Sequence, residues 1–432
     1  MRKASFLIRQ AVIRAAIVAA PAATLVACDS LLEAKAPSRV LADNLSSPAN
    51  AALLVAGARA AFGCAYQAHI TGTALLTDEM EDTQLAAAAW DWDRRDWSGA
   101  GAYATSACDA GQIFGTYTPL QTARFSAEDA ATTIGGFTDA EVTNRGALLA
   151  EANLLLGYSR VLIAESYCSA AENLGPELFP GDFFALAEAS FGAAITAAQG
   201  AGQTNIANAA LLGRARARQG LARLPGQAVN TAKYAEAKAD AAQVPAGFVY
   251  NMPYSSASSY ARNNIVQRNR LSLLYSVAVD FRNLNDPRVL VTNSGQRGAD
   301  AVNTVWLIDK YTDLTTPIPL ARYGEAQLIV AEAELAAGNT GAAVTAINNA
   351  RAAYPGLAPY TGPTDAATLQ TLLISERSRE LFLEGHRFWD TNRFNLPLNP
   401  AAGTPYPGKG GTYADLRCLP LPDVERTNNP NI

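Results

Sequence analysis

Three tryptophans fall within the eight residues Trp90-Asp91-Trp92-Asp93-Arg94-Arg95-Asp96-Trp97. Indoles interleaved with carboxylates and guanidinium groups suit a hydroxylated ring. The flat indole stacks on an apolar face while Asp and Arg bond the hydroxyls. Trp90, Trp92, Arg94, Asp96 and Trp97, with Trp306 further along, are therefore the candidate ligand-binding residues. The competing explanation places two of the three clustered tryptophans in the core. Tyr103, Tyr117, Trp306 and Tyr311 are second-rank candidates, each better explained by packing, and only Trp306 is kept in the binding set.

Other chemistry is weakly signalled. Glu376, Glu380 and Glu384 step by four, with Arg377, Arg387 and Arg393 nearby. Glycosidase chemistry needs two carboxyls about 5 to 9 Å apart across a substrate. Same-face residues of one helix are better read as an ion-paired charged helix. Gly403-Thr404-Pro405-Tyr406-Pro407-Gly408-Lys409-Gly410 has the glycines and lysine of a phosphate loop, but Gly410 stands where a Ser or Thr must bind magnesium. Asp91, Asp93 and Asp96 lack the spacing and glycine of a calcium loop, which leaves calcium dependence open. Only His69 and His386 exist, so imidazole metal sites and His-based triads start from little. No catalytic residue, metal ligand or cofactor is assigned.

The 432 residues are 49% hydrophobic and 17% charged, which excludes a disordered chain and allows one to three domains. Net charge is −5, without the basic excess that binding a phosphate backbone requires, so nucleic acid is not an expected partner. At the N-terminus, Arg2, Lys3, Arg9 and Arg14 precede an uncharged run from Ala15 to Ala27. That run is shorter than the roughly 20 residues of a spanning helix and reads as a secretory signal over 1–27. Leu25-Val26-Ala27-Cys28 resembles the bacterial lipobox, which makes Cys28 a lipid anchor and 28–47 a tether. Removal of the signal leaves 30 basic against 39 acidic residues, a body poorly suited to lying on anionic lipid. An exported chain lives where disulfides persist. Cys64, Cys108, Cys168 and Cys418 permit three pairings. The shared aromatic N-terminal region favours Cys64 with Cys108 and leaves Cys168 with Cys418, against an alternative of buried thiols.

The elements that must position these residues are mainly helical. Periodicity predicts helices over 46–62, 145–170, 182–198, 205–223, 231–243, 322–337, 341–353 and 367–393. They fall into pairs in which a large-small step on one helix meets a small residue followed by others at +4 and +7. The three instances are Leu156-Gly157 with Ala187, Phe191 and Ala194; Leu212-Gly213 with Ala235, Ala239 and Ala242; and Val330-Ala331 with Ala343, Ile347 and Ala350, followed by Pro355. The spacing resembles the tetratricopeptide repeat. The fold class is therefore mainly α: tetratricopeptide-like pairs near 145–243 and 322–393, in a single domain over 48–432. Long aromatic loop insertions at 63–144 and 248–318 would carry the ligand.

The C-terminal half carries a more specific pattern. Asn285-Asp286-Pro287-Arg288, Lys310-Tyr311, Arg322-Tyr323-Gly324-Glu325 and Ile374 to Asp390, closed by Arg393, are followed by Leu419-Pro420-Leu421-Pro422, Glu425 and Asn429-Pro430. In this order the motifs resemble the SusD/RagB family of outer-membrane nutrient-binding lipoproteins. That resemblance implies a SusD-like α-helical domain, lipid-anchored at the outer membrane and facing outward. It also implies a TonB-dependent, SusC-like transporter as partner and an oligomeric nutrient, most often a glycan, as ligand. The expected function is non-enzymatic capture and delivery of that nutrient. The alternatives are a helical-repeat envelope scaffold with no small ligand and a hydrolase acting on surface polymers. Whether the ligand is glycan, peptide or another polymer stays open.

Overall fold

The computed structural model describes residues 46–85, 87–97 and 115–432, of which Pro48–Ile432 form one unit. The signal segment, Cys28, nearly all of the tether, Tyr103 and Cys108 lie outside the described residues. A helix of small and apolar residues, α1 (Ala51–Leu75), is buried on every side from Ala61 onward. It runs well past the expected end at residue 62, because a helix enclosed all round carries no amphipathic stripe to mark it. Strand β1 (Met80–Asp82) and a short helix, α2 (Ala87–Asp93), follow. The next helix, α3 (Tyr117–Gly135), lies inside the stretch expected to be loop.

Antiparallel pairing dominates the middle of the chain: α4 (Arg145–Ser166), α5 (Pro180–Gly200), α6 (Thr204–Ala222) and α7 (Thr231–Ala241) pack in succession. Phe191 of α5 is the wedge. A Cβ on Gly157 of α4 would stand 2.7 Å from its ring, and one on Gly213 of α6 closer still, so both positions require glycine. Ala187, Phe191 and Ala194 are buried as the repeat spacing predicts. The second pair is out of register: Ala235, Ala239 and Ala242 are exposed, and α7 buries Tyr234, Ala237, Asp240 and Ala241 instead. The reason is polar. Tyr234 donates to Glu332 at 2.5 Å, and Asp240 takes Arg214 and Arg218, which fixes the inward face by hydrogen bonding rather than by small residues.

Residues 248–318 build three two-stranded antiparallel ribbons rather than open loops. They are β2 (Val249–Met252) with β6 (Ile318–Arg322), β1 with β3 (Tyr275–Val277), and β4 (Val291–Arg297) with β5 (Thr304–Ile308). The third helical pair, α8 (Tyr323–Ala336) and α9 (Thr340–Arg351), buries Ala331, Ala343, Ile347 and Ala350 as the spacing predicts.

The expected helix 367–393 is two: α10 (Ala366–Glu380) and α11 (Arg387–Arg393), parted by a turn with Leu383 at φ 54° and Gly385 at φ 82°. Its backbone is held by side chains from elsewhere. Lys310 donates to the Phe382 carbonyl at 2.6 Å, Tyr311 to Leu383 at 3.1 Å and His69 to Gly385 at 3.0 Å. The glutamates of this run are not a solvated charged face. Glu376, Glu380 and Glu384 are buried, and their partners come mainly from distant chain: Arg288 and Arg351 on Glu376, Arg322 on Glu380, and Arg322 with Lys310 on Glu384. Cys168 is bonded to Cys418 across 250 residues, closing the C-terminal segment onto the end of α4. A last short helix, α12 (Asp423–Asn428), ends the fold.

Candidate functional site

The tryptophan cluster begins on α2. Residues two apart on a helix point to nearly opposite sides, so Trp90 and Trp92 diverge. Trp92 and Trp97 are each 3% exposed, lie 6.1 Å apart in the core, and Trp97 meets the edge of Tyr167. Neither ring can stack on a ligand, which corrects their place in the expected binding set. Tyr117 and Tyr311 are buried too, each with its hydroxyl bonded, to Glu425 and to the Leu383 carbonyl.

Trp90 is half-buried, and its indole N–H donates to the Gln84 carbonyl at 2.8 Å. Lys409 reaches it from a second segment, 400–414, with the ammonium 5.7 Å from the Trp90 ring and 5.4 Å from Tyr406. That lysine sits between Asp82 at 2.9 Å and Asp300 at 3.0 Å, with all three side chains buried. The loop resembling a phosphate cradle therefore has its cation already committed. Arg94 pairs with Asp91, bonds the Gly410 carbonyl at 3.4 Å and lies over Tyr406. Arg95, at φ 58°, turns inward to the carbonyls of Ala414 and Pro400 and stacks on Tyr413 at 4.9 Å. Asp96 is exposed.

Beneath this surface, Asp93 accepts from the Asp82 N–H at 2.7 Å and from the Tyr406 hydroxyl at 2.9 Å. Burial pushes its carboxyl up to about 7, against the hydrogen bond from Asp82. Burial likewise raises Asp82, with Lys409 opposing, and raises Glu81, with Arg282 opposing. Trp306, on β5, is half-buried with the Arg282 guanidinium 5.6 Å from its ring. Arg282 pairs with Glu81 of β1, so Trp306 is tied to the same strand that carries Asp82.

Of the expected set, Trp90 and Arg94 share a surface with Tyr406, Lys409, Tyr413 and Asp300, whereas Trp306 is held separately, by Arg282 and through it Glu81, whose side chain leaves β1 on the face opposite Asp82. The sequence signal for Tyr406, Lys409 and Tyr413 is the alternation of Pro, Tyr and Gly around one lysine, which resembles a phosphate loop; Asp300 carries no such signal. Asp91, Asp93 and Asp96 do not converge, and among the described residues no group of His, Cys, Asp and Glu is placed to hold a metal. Both histidines are buried structural groups. Ser166 lies 3.0 Å from His69 and Arg216 lies 3.1 Å from His386. Burial lowers His69 to about 3 and, with the Arg216 charge, holds His386 well below its ordinary value.

Residues 289–417 match the sequence profile of the SusD family. Solved structures agree over nearly the whole chain. A SusD homolog from Bacteroides thetaiotaomicron superposes with a TM-score of 0.65 at 14% identity, covering 92% of this chain and 98% of that one. A SusD-like carbohydrate-binding protein from Bacteroides vulgatus gives 0.64 at 14% identity, covering 89% and 97%. The fold is the SusD fold, and the C-terminal part carries the SusD/RagB signature. A SusD superfamily protein from Bacteroides fragilis gives 0.64 at 14% identity, covering 89% and 99%. No curated protein matches the sequence. The SusD profile spans Trp306, Lys409 and the buried Glu376–Asp390 network, so it overlaps both the scaffold's charged core and one side of the candidate face.

Proposed function

We propose that this SusD-type chain is a non-enzymatic, carbohydrate-binding lipoprotein, anchored through Cys28 to the outer membrane and delivering its ligand to a TonB-dependent, SusC-like transporter. The observation that carries the reading is that Trp90 and Trp306, each half-buried, are each held by a cation over the ring, Lys409 in a buried ion pair and Arg282 in a partly buried one, on a SusD fold. Rings already oriented by Lys409 and Arg282 lose little freedom on stacking against a sugar. Arg94 and Asp96 supply a donor and an acceptor for hydroxyls. A SusD-like neighbour described as carbohydrate-binding supports the ligand class.

The test is calorimetric titration of the purified chain with a panel of neutral oligosaccharides. A saturable ligand whose affinity falls about tenfold in both Trp90→Ala and Trp306→Ala supports the reading; unchanged affinity in both variants removes these rings as the site.

A second reading, an envelope scaffold with no small ligand, is favoured by the burial of Trp92 and Trp97. Absence of binding to every oligosaccharide in the panel would favour it.

A further inference from the structure

A cavity of about 490 Å³ opens between the end of α4, the start of α5 and α11, and shares no lining residue with the surface around Trp90. Its size falls in the range of about 300–1,000 Å³ typical of small-molecule sites. One wall is the Phe179 ring, 57% exposed at the entry to α5. The Phe179 backbone is fixed: its N–H donates to Asp182 at 2.9 Å and its carbonyl accepts from the N–H of Asp182 at 2.9 Å. Trp389 also lines the cavity, 4% exposed and packed 5.2 Å from Phe184. Its indole N–H makes no hydrogen bond to a described group and, unlike that of Trp97, is not sealed from solvent. The side-chain amides of Asn392 and Gln227 also line the space and bond no described group. The Cys168–Cys418 bridge closes the rim.

Charge narrows the occupant. The described lining includes the carboxylates of Glu165 and Asp182 and no lysine, arginine or histidine. Glu165 is neutralised by Arg216 at 2.5 Å, and Asp182 caps α5. An anion would meet the Asp182 carboxylate, a Glu165 already paired and no lining cation, which disfavours phosphate or uronate. One cavity lined by an exposed flat ring, an unbonded indole N–H and two amides that each donate and accept matches a ring that is apolar on its face and hydroxylated at its edge.

We propose that this cavity is a second binding site, taking one neutral sugar unit stacked on Phe179 and hydrogen-bonded by Trp389, Asn392 and Gln227. It is separate from the Trp90 and Trp306 surfaces and stands even if those bind nothing.

The chain has five tryptophans, so its indole N–H region in a nitrogen-correlated NMR spectrum holds five signals. Glucose, xylose and N-acetylglucosamine are the probes, each titrated to tens of millimolar because a single sugar binds with about −4 kcal/mol or less. The Trp389 signal, assigned by Trp389→Phe, is expected to shift saturably with at least one probe. Phe179→Ala and Asn392→Ala are each expected to weaken that response at least tenfold, and they carry the test alone if Trp389→Phe does not fold. Shifts confined to the Trp90 or Trp306 signals, or none at all, overturn the site. A stronger response to glucuronate or glucosamine than to every neutral sugar overturns the ligand class.

Discussion

Asp93 is a carboxyl with two donors and no cation bonded to it, beside Asp82, Glu81, Lys409, Arg95 and Tyr406. Its folded value of about 7, against an ordinary 3.8, means the folded chain holds this proton more tightly than the unfolded one. The stability it contributes is complete below about 4 and is lost as pH rises towards 7. The neutral histidines act in the opposite sense, losing stability as pH falls below 6.5. Comparison with Asp93→Asn isolates the effect. In denaturant titrations, the wild-type advantage over this variant is expected to shrink from pH 4 to pH 7, and a constant difference would contradict the assignment. The tryptophans separate by the same logic of burial. Trp92→Ala is expected to cost about 3–5 kcal/mol of stability, and Trp90→Ala much less, measured by chemical denaturation. The cluster was legible in the sequence as aromatic and charged, but not which indole faces out. That depends on α2 turning Trp92 inward, and on Lys409 arriving from more than 300 residues away.

At the level of elements, close approach decides most. Phe191 fills the space that Gly157 and Gly213 leave, so Gly157→Val forces the ring out of its seat between α4 and α6. A loss of about 1–3 kcal/mol is expected in thermal unfolding, with Gly192→Ala on the open side of α5 as the near-neutral control. The helical pairs were readable because Ala187, Phe191 and Ala194, and again Ala343, Ile347 and Ala350, keep the spacing of a buried stripe. The pairing of α6 with α7 was legible, but the inward face of α7 was not, because Tyr234 and Asp240 face inward on hydrogen bonds. The second half of α1 escaped it because burial on all sides erases periodicity. The break between α10 and α11 was visible only as Gly385, whose αL backbone becomes intelligible once Lys310, Tyr311 and His69 are seen holding the turn.

Over the whole molecule, the charged residues of several motifs that resemble SusD/RagB join in one largely buried network. Asp286 and Arg288, Lys310, Arg322, Glu376, Glu380 and Glu384 join segments spread over about a hundred residues. Burial pushes Glu384 up, but Arg322 and Lys310 outweigh it and hold the carboxyl below its usual range. Removing one partner strands the others, so Arg322→Met is expected to cost about 3–5 kcal/mol in denaturant unfolding, and a neutral result would refute a structural role for the network. A core cross-linked in this way suits the proposed role of presenting ligand to a transporter. The most direct measurement of that role is isolation of the lipidated protein from its native membranes in mild detergent, with mass spectrometry of what accompanies it. A large outer-membrane barrel of the TonB-dependent class is expected in comparable amount; recovery of the protein alone, or with unrelated envelope proteins only, would contradict that role.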